Sequence, residues 1–210
     1  MAVYLVRHGE TDWNIEKRFQ GQRDIPLNAT GLAQAEASGK ALEGVHFSAI
    51  FSSPLSRAVR TAQAISAHTG GAPVVTDPRL GVRSFGELEG MTVPEGQAYI
   101  KAHGGNGGQE SKLSAGSRME DLLREQAALH PDEDILIVTH GSITCCTLMK
   151  ITDSQLLLSG YDIPNGGISR LRLADGRWKV ELYGVAPADF RPDLPDMPFP
   201  AQSQPAANLV

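Results

Sequence analysis

The sequence predicts an α/β protein, a three-layer α/β/α sandwich around a mainly parallel central sheet, and three observations carry that expectation. Short apolar runs alternate with helix-period segments along most of the chain. The runs Val3–Val6 and Ile135–Val138 are apolar at every position, as strands buried on both faces read. Both continue without a spacer into a histidine and a glycine: Arg7-His8-Gly9 after the first, Thr139-His140-Gly141 after the second. In open α/β sheets, ligands bind just beyond the carboxyl ends of the strands, so reactive groups are expected there.

The elements follow in order. After the first strand, Thr11 to Leu27 reads as loop, with Trp13, Asn14, Phe19, Gly21 and Pro26 scattered among charges. Thr30 caps a predicted helix from Gly31 to about Leu42, with Leu32, Ala35, Gly39 and Leu42 on its inner face. Ala49–Ser53 is a second strand, ended by Pro54. A helix from Ser56 to His68 follows, with Ala58, Ala62 and Ile65 inward. Val74–Thr76 is a third, short strand stopped by Asp77-Pro78. Regularity is lost between Leu80 and Gly116, where Gly104-Gly105-Asn106-Gly107-Gly108 forms a loop tip. That glycine run is no phosphate cradle, because no strand leads into it and no Lys-Ser/Thr pair follows. Helices are expected over Ser117–Leu129, packing Met119, Leu122, Leu123 and Leu129, and near Ile143–Met149. Leu171 and Leu173, then Trp178, Val180 and Leu182, flank Asp175-Gly176 as a terminal hairpin.

With 210 residues, 41% hydrophobic and 20% charged, the chain suits one domain with a sizeable core. We expect that domain over residues 1–185. Beyond Ala186 come six prolines and few large apolar residues, so residues 186–210 read as a Pro-rich arm, extended or disordered. The net charge of −5 argues against a nucleic-acid surface and against a polybasic membrane patch. No signal peptide or membrane-length apolar run is recognised, which makes the cytoplasm the default. Cys145 and Cys146 are adjacent, a poor geometry for a mutual disulfide, and read as reduced thiols in a helix. A homodimer is open, since the arm could wrap its own domain or a neighbour's.

If the two histidine-terminated strands are parallel neighbours, His8 and His140 emerge side by side at one edge. The second strand ends there too, in Ser52-Ser53-Pro54-Leu55-Ser56-Arg57, which sets Arg57 at a helix start whose dipole favours an anion. Gly9 is expected to let the chain turn and to bring backbone N–H groups near that anion. Two imidazoles and two guanidinium groups then converge, a cluster costly to bury without a multiply charged counterion. Phosphate fits, because Arg7 and Arg57 offer planar forks of donors and His8 can act as nucleophile or proton carrier.

Those residues, taken in order, resemble the histidine phosphatase superfamily, the phosphoglycerate-mutase-like group of phosphohistidine enzymes. Arg7-His8-Gly9-Glu10-Thr11 with Trp13-Asn14 resembles its signature opening. Gly21, Asp24, Pro26-Leu27, Gly31 and Gln34-Ala35 resemble the next block, and Ser52-Ser53-Pro54-Leu55 with Arg57-Ala58 and Thr61-Ala62 the phosphate-binding arginine segment. Phe85-Gly86 with Glu89-Gly90, Thr139-His140-Gly141 and Asn165-Gly166 complete the series over residues 3 to 185. The resemblance implies that His8 is the nucleophile and is phosphorylated on a ring nitrogen. It implies that Arg7, Arg57 and His140 hold the phosphoryl oxygens, that Asn14 donates a further hydrogen bond, and that Gln20 and Gly21 line the mouth. Arg83 and Gly141 are counted with the phosphate-binding set, although Asn14 could simply cap a turn. His46, His68, His103 and His130 have no such company and read as surface residues. The implied partner is a small phosphorylated substrate or inorganic phosphate, with no metal and no cofactor.

The chain departs from the pattern at one position. The family's proton-donating glutamate follows two residues after a leucine, and here Leu80-Gly81-Val82 places a valine there. Valine has no proton to give, and a positioned acid is worth about 10²–10⁴ in rate. Three accounts stay open: Glu87 or another nearby acid has taken over, the substrate has a good leaving group, or the site is weakened and binds phosphorylated ligands without fast turnover. Glu87 and Glu89 could equally be exposed charges. The basic insert of the family's mutases, with its adjacent arginines, has no counterpart, because Lys101, Lys112 and Arg118 are widely spaced. Hydrolysis of phosphomonoesters is therefore expected ahead of a phospho-ligand-binding regulator and of a mutase.

Overall fold

A computed structural model describes residues 1–152 and 163–197. Six strands form one sheet: β1 (Ala2–Arg7), β2 (Ala49–Ser52), β3 (Val74–Thr76), β4 (Ile135–Thr139), β5 (Ile168–Ala174) and β6 (Arg177–Val185), in the order β3-β2-β4-β1-β5-β6. The first four are mutually parallel, while β5 runs antiparallel to β1 and β6 antiparallel to β5. The helices are α1 (Asp12–Ile15), α2 (Ala29–Ala41), α3 (Ser56–His68), α4 (Val93–His103), α5 (Lys112–Leu129) and α6 (Gly141–Ile151).

Alternation along β1 divides the core into two layers. Tyr4 and Val6 face Leu42, Ala58, Ala62 and Ile65, the layer beneath α2 and α3. Val3 and Leu5 face Met119, Leu122, Leu123, Ile143 and Leu148, the layer beneath α5 and α6. Every residue of β4 is buried, as the unbroken apolar run requires. The β5–β6 turn places both Asp175 and Gly176 at positive φ, the conformation for which Asp-Gly is selected in two-residue hairpins.

Several boundaries differ from the sequence expectation. Asn28, and not Thr30, caps α2, its side chain accepting from Gly31 N at 2.8 Å, and Leu32 faces solvent while Ala35 and Gly39 are buried. The stretch expected to be loop contains α1, closed by a reciprocal Thr11–Asn14 capping box. The irregular stretch contains α4, whose start carries its own signal: Thr92 and Glu95 form a capping box around Pro94 in the first turn. The next helix begins at Lys112 on a Ser111 cap, five residues early, and Leu129 at its end is exposed. Residues 186–197 lie on the sheet. Phe190 is fully buried edge-on to Tyr4, and Arg170, paired with Glu181, donates to Pro192 O and Leu194 O. Residues 198–210 of the expected arm lie outside the described residues. Both cysteines are free thiols on α6. Among the described residues no helix is long and apolar enough to cross a membrane.

Candidate active site

The register of the central strands builds the site. Arg7 pairs with Thr139 across β1 and β4, so the next residues, His8 and His140, leave the sheet together. Their rings meet edge-on with centroids 5.0 Å apart, and both side chains are buried. Ser52 pairs with Val138, which brings Ser53 to the same edge and starts α3 with Arg57 pointing back toward it. The cavity between these elements has a volume of about 270 Å³. Arg7, His8, Asn14, Gln20, Gly21, Arg57, His140 and Gly141 all line it.

Hydrogen bonds fix how each group faces the cavity. His8 Nδ1 lies 2.6 Å from Gly9 O. A carbonyl only accepts, so Nδ1 carries the hydrogen and Nε2 keeps its lone pair. Burial and the fields of Arg57 and Arg7 push the His8 pKa well below the ordinary histidine range, so the ring is neutral. Burial, Arg57 and His8 do the same to His140. Arg57 donates to Arg23 O at 2.9 Å and Gly21 O at 3.2 Å, which leaves its buried Nε without a protein partner. Burial lowers its pKa to about 10, against the pull of Asp24 and Glu89, so it stays a cation at neutral pH. His140 Nδ1 and Gln20 Oε1 are likewise buried without partners. Such orphaned groups around one hollow are what a bound polar ligand would satisfy. Arg7 donates to Ile163 O.

Asn14 is a cap, as one reading of it expected, and it also faces the cavity. Its Oδ1 accepts from Thr11 N at 3.0 Å, closing the cap of α1, while the residue lines the cavity. Asn165 Nδ2 donates to His8 O at 3.1 Å and so braces the histidine turn.

Other expectations are corrected. Gly9 is not in the left-handed region, and its N–H goes to Thr61 Oγ1 at 3.1 Å instead of an anion. It is small because a Cβ there would stand 2.2 Å from Gly31 O. The N-terminus of α3 is occupied by Asp24, which accepts from Ser56 N at 2.8 Å. Glu87 does not reach the cavity. Gly86 turns at φ 56 and sends Glu87 toward α4, where Tyr99 Oη donates to it at 3.1 Å. Arg83 is also outside, donating to Glu110 O at 2.7 Å with its guanidinium over the Phe85 ring. Glu89 is a brace behind Gly21, accepting from Gln22 N and Phe85 N at 3.1 Å each. Val82, by contrast, forms part of the wall, buried with Phe19, Phe85 and Leu88. No carboxylate lines the cavity among the described residues, and none of their His, Cys, Asp and Glu side chains group in threes to hold a metal ion.

Residues missed from sequence also line it: Trp13, Lys17, Arg18, Phe19, Val93 and Ser142. The first four belong to the stretch whose scattered charges predict loop, and Val93 opens the helix that the Thr92–Glu95 capping box starts. Ser142 sits in the first turn of α6, next to Gly141, where a Cβ would crowd Arg7 Cδ at 3.3 Å.

Comparison with known proteins places this arrangement. The model for the histidine phosphatase superfamily (branch 1) matches residues 3–186. PhoE of Bacillus subtilis, an uncharacterized phosphatase, is 33% identical over 186 residues, 88% of this chain and 94% of its own. The probable phosphoglycerate mutase GpmB of Proteus mirabilis is 35% identical over 94% of this chain and 96% of its own. The structure of a mycobacterial glucosyl-3-phosphoglycerate phosphatase, complexed with VO3, superposes with a TM-score of 0.79 at 26% identity, covering 88% of this chain and 98% of its own.

Proposed function

The chain belongs to branch 1 of the histidine phosphatase superfamily, and from that premise we propose that it hydrolyses small phosphomonoesters through a phosphohistidine on His8. The observation that carries this reading is the His8–His140 pair at 5.0 Å, with His8 Nε2 unprotonated and Arg57 Nε and His140 Nδ1 unpaired around it.

The chemistry follows from those atoms. His8 Nε2 attacks phosphorus, an N–P bond forms, and the bond to the leaving oxygen breaks. Charge on the phosphoryl oxygens in flight falls to the buried Arg57 and His140 and the half-buried Arg7, all held in place before the reaction. Water then attacks the phosphohistidine, giving inorganic phosphate and restoring His8. Asn14 adds a donor, and Gln20 and Gly21 line the mouth. The similarity to a phosphatase structure complexed with VO3, a phosphoryl-sized oxyanion, supports the cleft's use. A hydrolase is favoured over a mutase because Lys101, Lys112 and Arg118 form no cluster at the cavity, and Arg118 is already paired with Glu110 at 3.0 Å.

The weak point of this machinery is the departing oxygen. Val82 stands in the wall at the position where the family resemblance places the acid, and Glu87 is turned away. Good leaving groups are therefore the preferred substrates. The experiment compares p-nitrophenyl phosphate with an alkyl phosphate, in wild type and in His8→Ala. We expect aryl hydrolysis that exceeds alkyl hydrolysis and vanishes in His8→Ala. No hydrolysis of either, with phosphate still bound, would favour a phospho-ligand-binding regulator instead.

A further inference from the structure

One stretch of the cavity lining differs from the rest. Trp13, Phe19, Val82, Phe85 and Val93 make an apolar, largely aromatic wall, and Lys17 and Arg18 are the only charges on it among the described residues. The charge of Arg18 is spent. It is paired with Glu16 at 2.5 Å and donates to Gly90 O at 2.8 Å. Lys17 is exposed, and no carboxylate of the described residues lies within ion-pair distance of its ammonium group.

The backbone at Lys17 fixes where that long side chain starts. Lys17 takes φ 53, in the left-handed region, one of only two non-glycine residues among those described to do so. Lys17 follows the end of α1, where a left-handed residue commonly stops a helix, and glycine or asparagine adopts this conformation at lower cost. The position is also rigid: Lys17 N donates to Asn14 O at 3.2 Å, and its carbonyl accepts from Val93 N at 3.0 Å. The chain thus holds a long cation, in a conformation that suits a smaller residue, at the mouth of its phosphoryl cavity.

We infer that Lys17 determines specificity by reading a carboxylate on the leaving half of the substrate, a phosphomonoester with an apolar or aromatic body. A carboxylate is the matching group because one ammonium balances one charge. A second phosphate would call for several convergent donors, as Arg7, Arg57 and His140 supply to the first. The apolar wall takes the body between the two charges. This rests on the phosphoryl-site reading above but not on turnover.

The test uses non-hydrolysable ligands, so that binding is measured apart from catalysis. Benzylphosphonate and its 3- and 4-carboxylated forms are titrated calorimetrically at low ionic strength against wild type, Lys17→Asn and Lys17→Glu. Asn keeps the left-handed backbone accessible and removes the charge. In wild type, one carboxylated ligand binds about three- to tenfold tighter than the parent, the range of a partly exposed ion pair. The preference falls below about twofold in Lys17→Asn and reverses in Lys17→Glu, and in wild type it shrinks with added salt. Equal affinities in wild type, a preference that survives Lys17→Asn, or no phosphonate binding at all would overturn the inference. Phosphonate binding without hydrolysis of phenyl phosphate would sink the phosphatase reading and leave Lys17 standing.

Discussion

The Oγ of Ser53 lies 2.8 Å from Nε2 of His140, and both side chains are buried. Ser53 Oγ already accepts from Leu55 N at 3.4 Å, which leaves its own hydrogen to give. When Ser53 donates to Nε2, neutral His140 must carry its hydrogen on Nδ1, the buried nitrogen with no protein partner. In the proposed reaction a neutral imidazole then serves as a donor to a phosphoryl oxygen without a third cation beside Arg7 and Arg57.

Ser53→Ala should release that tautomer. We expect a fall in kcat/KM of about ten- to a hundredfold, below the ~10²–10³ typical of deleting an oxyanion donor outright, with Ser53→Thr recovering most of it. Nitrogen-15 shifts of the His140 ring decide the cause. Wild type should show Nδ1 protonated, and the alanine variant a mixture. A ring unchanged in Ser53→Ala would refute the assignment even if activity fell.

The two lowered histidine pKa values set a window of pH-dependent stability. Unfolded histidine titrates near ~6.5, and the folded values of His8 and His140 lie well below it. Below that pH the unfolded chain binds protons that the native state refuses, so stability falls as pH drops and is fully present above it. Each histidine contributes a slope of up to about 1.4 kcal/mol per pH unit inside the window. Denaturant midpoints between pH 7.5 and 5 should therefore decline more steeply in wild type than in His8→Asn/His140→Asn. The carboxylates held low, Glu110 by Arg118 and Glu120 by Lys150 and Arg124, act only in more acid solution, and the double variant keeps their effect.

A second constraint on His8 comes from glycines. A Cβ on Gly31 would stand 2.0 Å from Glu10 O, and one on Gly9 2.2 Å from Gly31 O. Gly31 lies in the first turn of α2, where alanine has a helix-propensity advantage of up to ~1 kcal/mol. The clash is with backbone, which cannot swing aside, and overpacking costs about 1–3 kcal/mol. Gly31→Ala should thus lower stability despite its propensity. It should lower kcat further than unfolding explains, since the turn displaced is the one that aims His8. Thermal unfolding and kinetics on the folded variant separate the two, and a more stable, fully active variant would contradict the packing argument.

The strands that carry the proposed catalytic groups were legible because both-face burial leaves no polar residue to break the pattern. Val3–Val6 and Ile135–Val138 read as strands, and a shared His-Gly ending implied their adjacency. What could not be read was set by contacts across the chain. Gly9 looks like a turn glycine until Gly31 is seen against it. Glu87 was the natural substitute acid by sequence distance, yet one positive-φ glycine redirects it to Tyr99. Arg83 lies near the cavity in sequence, but Glu110, twenty-seven residues on, holds it away. The aromatic and cationic wall was hidden because α1 is four residues long and α4 contains Pro94 and Gly96, which mask its period.

Val82 offers the sharpest test of the proposed chemistry. Its side chain packs with Phe19, Phe85 and Leu88 and borders the cavity that holds His8. A glutamate placed there by Val82→Glu meets two opposed effects. Desolvation by the aromatic cluster raises its pKa, while Arg57 and Arg7 lower it. It gains the function of an acid only if burial wins and the carboxyl holds its proton near neutral pH. Leaving alkoxides need that proton and nitrophenolate does not, so alkyl phosphate hydrolysis should rise about 10²-fold or more and aryl hydrolysis far less. A new descending limb should enter the alkyl pH–rate profile on the alkaline side, where the carboxyl ionises. Losing an apolar contact and burying a carboxyl costs about 1–3 kcal/mol of stability, so folding is checked by the unfolding midpoint first. If the folded variant accelerates both esters equally, or neither, position 82 is not where the leaving oxygen departs.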